Sequence, residues 1–138
     1  QILLAQFISF LRDQVCVRHG RILIFRTWET FDHRAATAEY YINVTDRIPQ
    51  HQLLYFSAKH TRGDFLRDSQ GLFNAQLGQG KHAQIIEVSC QRAYEGKGAF
   101  PNYIGDGVIN GFAELQDRKG LKHVINASQI RGLWTWSR

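Results

Sequence analysis

The sequence predicts an α/β fold built from parallel strands with helices between them. Four short apolar runs lie along a chain of 138 residues, and most of the segments between them place apolar residues at three- and four-residue steps. The runs are continuous, which is typical of strands that are buried on both faces by covering helices. Four such strands fit about half of a (β/α)8 barrel, since a complete one needs about 250 residues. A small doubly wound sheet is the alternative.

The first half of the chain alternates helix and strand twice. Residues 1–17 carry apolar residues at helical steps, and Gly20 ends this helix. Residues 21–28, RILIFRTW, form the first strand. Residues 37–48 place Tyr40, Tyr41 and Val44 on one helical face before Pro49 interrupts the pattern. Residues 53–58 form the second strand.

The second half repeats the pattern less regularly. Residues 64–80 contain several glycines without a firm period, which predicts a long loop with one turn of helix at most. Residues 84–90, QIIEVSC, form the third strand. Residues 105–127 predict two short helices separated by Gly120, and residues 132–136, GLWTW, form the fourth strand.

Composition and charge exclude several classes of protein. With 43% hydrophobic residues, residues 1–138 predict one soluble globular unit. The net charge of +5 is spread singly along the chain, so we expect no nucleic-acid partner. No apolar segment approaches the roughly 20 residues that span a membrane. Two cysteines and six scattered histidines indicate no disulfide framework, metal site or cofactor. The chain starts at Gln1 and lacks methionine, so we expect a piece of a longer protein.

Cations follow three successive strands, at the edge where ligands bind in parallel α/β folds. Arg26, Lys59 and Arg92 occupy these strand exits. Such a cluster needs anions, which are either carboxylates of the protein or those of a substrate. Aromatic residues near the same edge, among them Trp28, Tyr94 and Trp136, suit the C–H faces of sugars. For Trp134 we expect only the filling of core volume.

Three short motifs, in order along the chain, carry a family resemblance. They are IFRTW at residues 24–28, KHTRGDF at 59–65 and EVSCQRAYEG at 87–96. Their order and spacing resemble the α-glucuronidases of glycoside hydrolase family sixty-seven, across about the middle half of the chain. The family pattern at the second motif is K-x-G-x-x-D-F, in which only the glycine is displaced here. At the third motif the family has E-x-x-x-x-x-E-Y-x-G.

The resemblance implies a (β/α)8 barrel that removes 4-O-methyl-glucuronic acid from xylan-derived oligosaccharides with inversion. It implies that Arg26 and Lys59 hold the uronic carboxylate and that Asp64 is one of two carboxylates that activate water. The other residues expected to contact this acidic oligosaccharide are Trp28, His60, Arg92, Tyr94 and Trp136.

Two departures from the family pattern concern catalysis. The second water-activating carboxylate falls on Ala93. Asp64 then acts alone, Glu95 or Glu87 substitutes, or the change inactivates the enzyme. The family's general acid lies on a strand upstream of the arginine strand, so we expect it outside this chain. The sequence therefore predicts a uronic-acid glycoside hydrolase, or alternatively a non-catalytic α/β module that binds carbohydrate or anions. Open sheet edges predict association with a second copy or with the rest of a larger protein.

Overall fold

The computed structural model describes residues 1–27, 37–60, 74–89, 109–111 and 119–136. Within these residues, four parallel strands form one sheet in the order β1-β2-β3-β4. The strands are β1 (Leu23–Thr27), β2 (Leu54–Lys59), β3 (Ala83–Ser89) and β4 (Ile130–Trp136). Helices α1 (Ile2–Arg12) and α2 (Ala38–Thr45) precede β1 and β2. The predicted α/β fold with parallel strands is confirmed.

Local sequence signals explain where both helices begin and end. A π-helix at Asp13–Arg18 continues α1, and Gly20 then adopts a positive φ of 58°, which glycine allows at low cost. At the start of α2, the Thr37 hydroxyl accepts a hydrogen bond from the Tyr40 backbone N–H at 3.1 Å, as an N-cap residue does. Pro49 follows the turn after α2. The helices predicted at residues 1–17 and 37–48 are confirmed.

One face of the sheet carries the hydrophobic core. Leu54, Phe56 and Ala58 alternate along β2, as Ile86 and Val88 do along β3, and all five are buried. Both helices pack over the β2 half of this face in one cluster of buried residues: Ala5, Ile8, Cys16, Tyr41, Val44, Ile48, Leu54 and Phe56. A second cluster covers the β3 half, with Leu77 and Leu121 as its other buried members. The described helices α1 and α2 therefore lie on the same side of the sheet.

The expectation that every strand is buried on both faces is wrong for the edges of the described sheet. Ile24 of β1 is 51% exposed, and Leu133 of β4 is also exposed. Within the described residues, β1 and β4 each pair with a neighbour on one side only. Their side chains therefore receive less cover than those of β2 and β3. The apolar runs predicted the strands correctly but not their positions in the sheet.

A buried glutamine holds the turn that precedes β3. The Gln84 side chain accepts the Gly78 N–H at 2.8 Å and donates to the carbonyl oxygens of Gln76 and Gln79, at 3.0 and 3.2 Å. Buried polar groups of this kind are stable when all their hydrogen bonds are made. The described part of the predicted loop, residues 74–80, is such a turn. In the region predicted as two short helices, a 3-10 helix occupies Leu121–His123.

Candidate functional site

An ion pair with a fully buried carboxylate crosses the sheet face opposite the core. Glu87 in the middle of β3 is 0% exposed, and both of its carboxylate oxygens accept hydrogen bonds from Arg26 Nε at 2.9 Å. Arg26 Nη2 lies 2.8 Å from Glu87 Oε2. A buried carboxylate is tolerated only when it is paired and hydrogen-bonded. Arg26 of β1 meets this requirement across the intervening strand β2.

Two further side chains extend this pair into a row across all four strands. Ser57 of β2 donates its hydroxyl to Glu87 Oε1 at 2.8 Å, and Trp134 of β4 donates its indole N–H to Ser57 Oγ at 2.9 Å. The Ser57 hydroxyl thus both donates and accepts, which fixes its orientation. Trp134 is 41% exposed, so the expectation that it only fills core volume is wrong. Its ring edge instead joins a polar network that faces away from the core.

The strand register brings Lys59 to the same face. Arg26 is the register partner of Ser57, and Lys59 is the partner of Glu87. Because Ser57 and Lys59 are two positions apart, their side chains leave β2 on the same side. Lys59 is partly buried at the carboxyl end of its strand. Two of the three cations predicted at strand exits, Arg26 and Lys59, therefore share one face with Glu87.

His60 is buried directly after β2, at 5% exposure. Its backbone N–H donates to the Glu87 carbonyl oxygen at 2.9 Å, and its ring Nδ1 lies 3.4 Å from the same oxygen. Desolvation by burial lowers the pKa of His60 to about 4, and the contact with the carbonyl offsets part of that change. The ring is therefore neutral at pH 7. The described contact of the ring is with the main chain of β3, so His60 supports the strand exit.

The depressed pKa of His60 predicts acid sensitivity. In the unfolded chain the ring binds a proton below its usual pKa of 6.5, whereas the folded protein resists protonation down to about 4. Stability is thus fully present above pH 6.5 and is lost as the pH falls toward 4, by about 3 kcal/mol from this group. His82, whose pKa is also lowered by burial, adds to the loss.

Urea unfolding at several pH values measures this effect. His60→Gln, which stays neutral, should flatten the decline between pH 6.5 and 4, while substitution of the exposed His19 by Gln should leave it unchanged. An equally steep decline in His60→Gln would show that His60 is not the sensitive group.

The two ends of segment 61–73 are tied together at this edge. The Asn74 backbone N–H donates to the His60 carbonyl oxygen at 3.0 Å, and the Asn74 side-chain amide donates to the Lys59 carbonyl oxygen at 3.0 Å. Asp64, which lies in that segment, is outside the described residues. Its point of attachment to the fold is nevertheless defined, because the segment leaves from His60 and returns at Asn74, beside Glu87.

The remaining predicted site residues fall mostly outside the described ranges. These are Trp28, Arg92, Ala93 and Tyr94. Trp136 is the last residue of β4, where its backbone is the register partner of Ser89. Glu87, one of the considered replacements for the carboxylate at position 93, has no exposed surface and is bound by Arg26 and Ser57. This argues against Glu87 as a residue that activates water.

Glu87 is also the residue whose role the sequence analysis missed. It stands between Ile86 and Val88 inside an apolar strand, as Arg26 stands inside IFRT. A charge within an otherwise buried run needs a buried partner. The opposite charges of Arg26 and Glu87, each inside an apolar run, could therefore have predicted that the two residues form an ion pair. Ser57, Asn74 and Gln76 carry no comparable signal.

The described residues hold no group of three or more His, Cys, Asp or Glu side chains that could bind a metal ion. Among the helices in the described ranges, none is long and apolar enough to cross a membrane. Comparisons of the chain with known protein families, with curated proteins and with solved structures found no match. A functional proposal for this chain therefore rests on its own residues and their geometry.

Proposed function

We propose that this chain forms part of a glycoside hydrolase that releases a uronic acid from an oligosaccharide. The observation that carries the proposal is the convergence of Arg26, Lys59 and the buried Glu87 on one face, near the carboxyl ends of three neighbouring parallel strands. Ligands of parallel α/β folds bind at that edge. The motif resemblance supplies the sugar class and the hydrolytic chemistry.

We further propose that the sheet is about half of a (β/α)8 barrel. The strands follow each other in chain order, without the reversal of order that marks a doubly wound sheet. The described helices α1 and α2 also pack on one face only. In a barrel, the face that bears Arg26 and Glu87 would be the interior, where active-site side chains are mounted.

The pair of Arg26 with Glu87 gives the two cations of the site, Arg26 and Lys59, different roles. Glu87 neutralises Arg26 and orients its guanidinium group, whose side chain is still 36% exposed. A sugar carboxylate would accept charge-assisted hydrogen bonds from these cations, and such bonds are stronger than neutral ones. Because Glu87 already binds the guanidinium group of Arg26, Lys59 should contribute more than Arg26 to the recognition of an acid.

A non-catalytic carbohydrate-binding module is the second candidate. It is favoured by one observation: Glu87, the carboxylate that the described residues place at this site, is fully buried and serves as a counter-ion. At this site, the described residues therefore supply the cations that could bind a sugar acid, but they supply no carboxylate that can activate water. Both candidate functions require binding of an acidic sugar, but only the hydrolase would cleave it.

Calorimetry tests the shared part of both candidates. The chain should bind glucuronic acid about five- to tenfold more tightly than glucose, because a hydrogen bond to a charged group contributes about 1 kcal/mol more than a neutral one. Lys59→Gln should remove this preference and leave the weaker binding of glucose in place. Lys122→Gln, at an exposed position in the 3-10 helix, is the matched control and should retain the preference.

Equal affinities for the two sugars in the wild-type protein would exclude a uronic-acid site. A preference that persists in Lys59→Gln would place acid recognition elsewhere in the chain.

A further inference from the structure

A cavity lies on the core side of β1. It has a volume of about 190 Å³ and opens between the apolar sheet face and both helices. Leu4 and Ile8 of α1, Tyr41 and Val44 of α2, and Phe25 and Thr27 of β1 are among the residues that line it. A cavity of about 150 Å³ with apolar walls is large enough to bind benzene. This space therefore has room for a small ring compound.

One wall of the cavity carries a polar group without a hydrogen bond. Tyr41 is 3% exposed, and its hydroxyl makes no hydrogen bond to any described residue. The Gln84 side chain lies near this hydroxyl, but the hydrogen bonds that Gln84 makes are with the turn at residues 76–79. A buried hydroxyl that lacks a partner is costly, so a ligand atom that accepts its proton would be favoured.

The ionisation state of Tyr41 determines whether the ligand atom beside it must accept or donate a hydrogen bond. Burial raises the pKa of Tyr41 to about 12, so the phenol is protonated at neutral pH and can donate. Of the lining residues, Arg26 is the ionisable group of permanent charge, and its guanidinium is bound to Glu87 on the other face. A charged ligand would lose its hydration without gaining a counter-ion. The walls therefore suit an uncharged molecule with one acceptor.

We propose that this cavity binds a small uncharged aromatic compound with a carbonyl oxygen, which accepts a hydrogen bond from Tyr41. The cavity adjoins the sugar site at Arg26 but opens on the other face of β1, where Phe25 and Thr27 leave the strand. Its occupancy does not depend on the hydrolase proposal.

Two probes of nearly equal shape test the proposal. Acetophenone and α-methylstyrene differ in a carbonyl oxygen against a methylene group, so their affinities isolate the hydrogen bond. Amide NMR titration of the folded chain should show both probes shifting the signals of Ile8, Val44 and Thr27. Acetophenone should bind about two- to tenfold more tightly, as expected for one neutral hydrogen bond.

Tyr41→Phe keeps the ring and removes the hydroxyl. It should abolish the preference for acetophenone without weakening α-methylstyrene. Val44→Leu narrows the cavity and should weaken both probes in a protein whose circular dichroism is unchanged. Absence of binding by either probe would overturn the proposal, since the cavity would then hold water only. Equal affinities in the wild type, or a preference that survives in Tyr41→Phe, would overturn the role of Tyr41.

Discussion

Ala93→Glu is expected to raise the rate of uronic-sugar hydrolysis by about 10²–10⁴-fold, the contribution that a general base typically makes. The motif resemblance places the second water-activating carboxylate at position 93, where alanine cannot accept a proton. Substrate affinity should stay nearly constant, because Arg26 and Lys59 are unchanged. The measurement is the release of uronic acid at saturating oligosaccharide by the full chain that the gene encodes.

Two companion variants separate base catalysis from a general effect of added charge. Asp64→Ala in the Ala93→Glu background should abolish the gained activity, since the two carboxylates would act on the same water. Ala99→Glu adds a carboxylate six positions later and should leave the rate at the wild-type level. An unchanged rate in Ala93→Glu, in a protein that is folded and binds the sugar, would show that position 93 is not the second carboxylate. The binding-module candidate would then be preferred.

Arg26→Met should lower the free energy of unfolding by about 3–5 kcal/mol, the usual cost of removing one member of an ion pair whose other member is buried. Glu87 would remain fully buried with Ser57 as its described hydrogen-bond donor. Urea unfolding at pH 7 measures the loss.

A double-mutant cycle identifies the pair as the cause. Arg26→Met combined with Glu87→Met should recover much of the lost stability, because apolar replacement of a whole buried pair is often nearly neutral. Arg131→Met, at an exposed position of β4, is the control and should change stability by less than about 0.5 kcal/mol. A loss of under about 1 kcal/mol in Arg26→Met would show that the Arg26–Glu87 pair is not what stabilises the buried carboxylate.

The elements of the fold were predictable because each depends on nearby residues. The periodicity of residues 1–17 and the stop at Gly20 concern one helix and its own cap, and the run QIIEVSC carries its strand signal alone. Position in the sheet is a different kind of property. It depends on which strands are neighbours, so Ile24 and Leu133 gave no sign that β1 and β4 are edges in the described part of the chain.

In the candidate site too, features that depend on nearby residues were predictable, and contacts between distant strands were not. Arg26 and Lys59 could be placed at the ligand-binding edge, since both lie in or at the end of an apolar run. The pairing of Arg26 with Glu87 was open to prediction from their opposite charges, but its geometry was not, because the pair joins β1 to β3 across 61 positions of sequence. The same applies to Trp134, whose indole N–H reaches Ser57 over 77 positions. Such contacts become visible only when the register is known.

The tie between Asn74 and the end of β2 has a consequence for how this fold can vary between proteins. Its two hydrogen bonds fix both ends of segment 61–73 against the sheet, whatever lies between them. For a flexible loop with fixed ends, doubling the length adds only about 0.6 kcal/mol of closure cost. Evolution could therefore lengthen, shorten or exchange these thirteen positions as a unit while the strands stay in place. Asn74 would have to accompany every such exchange.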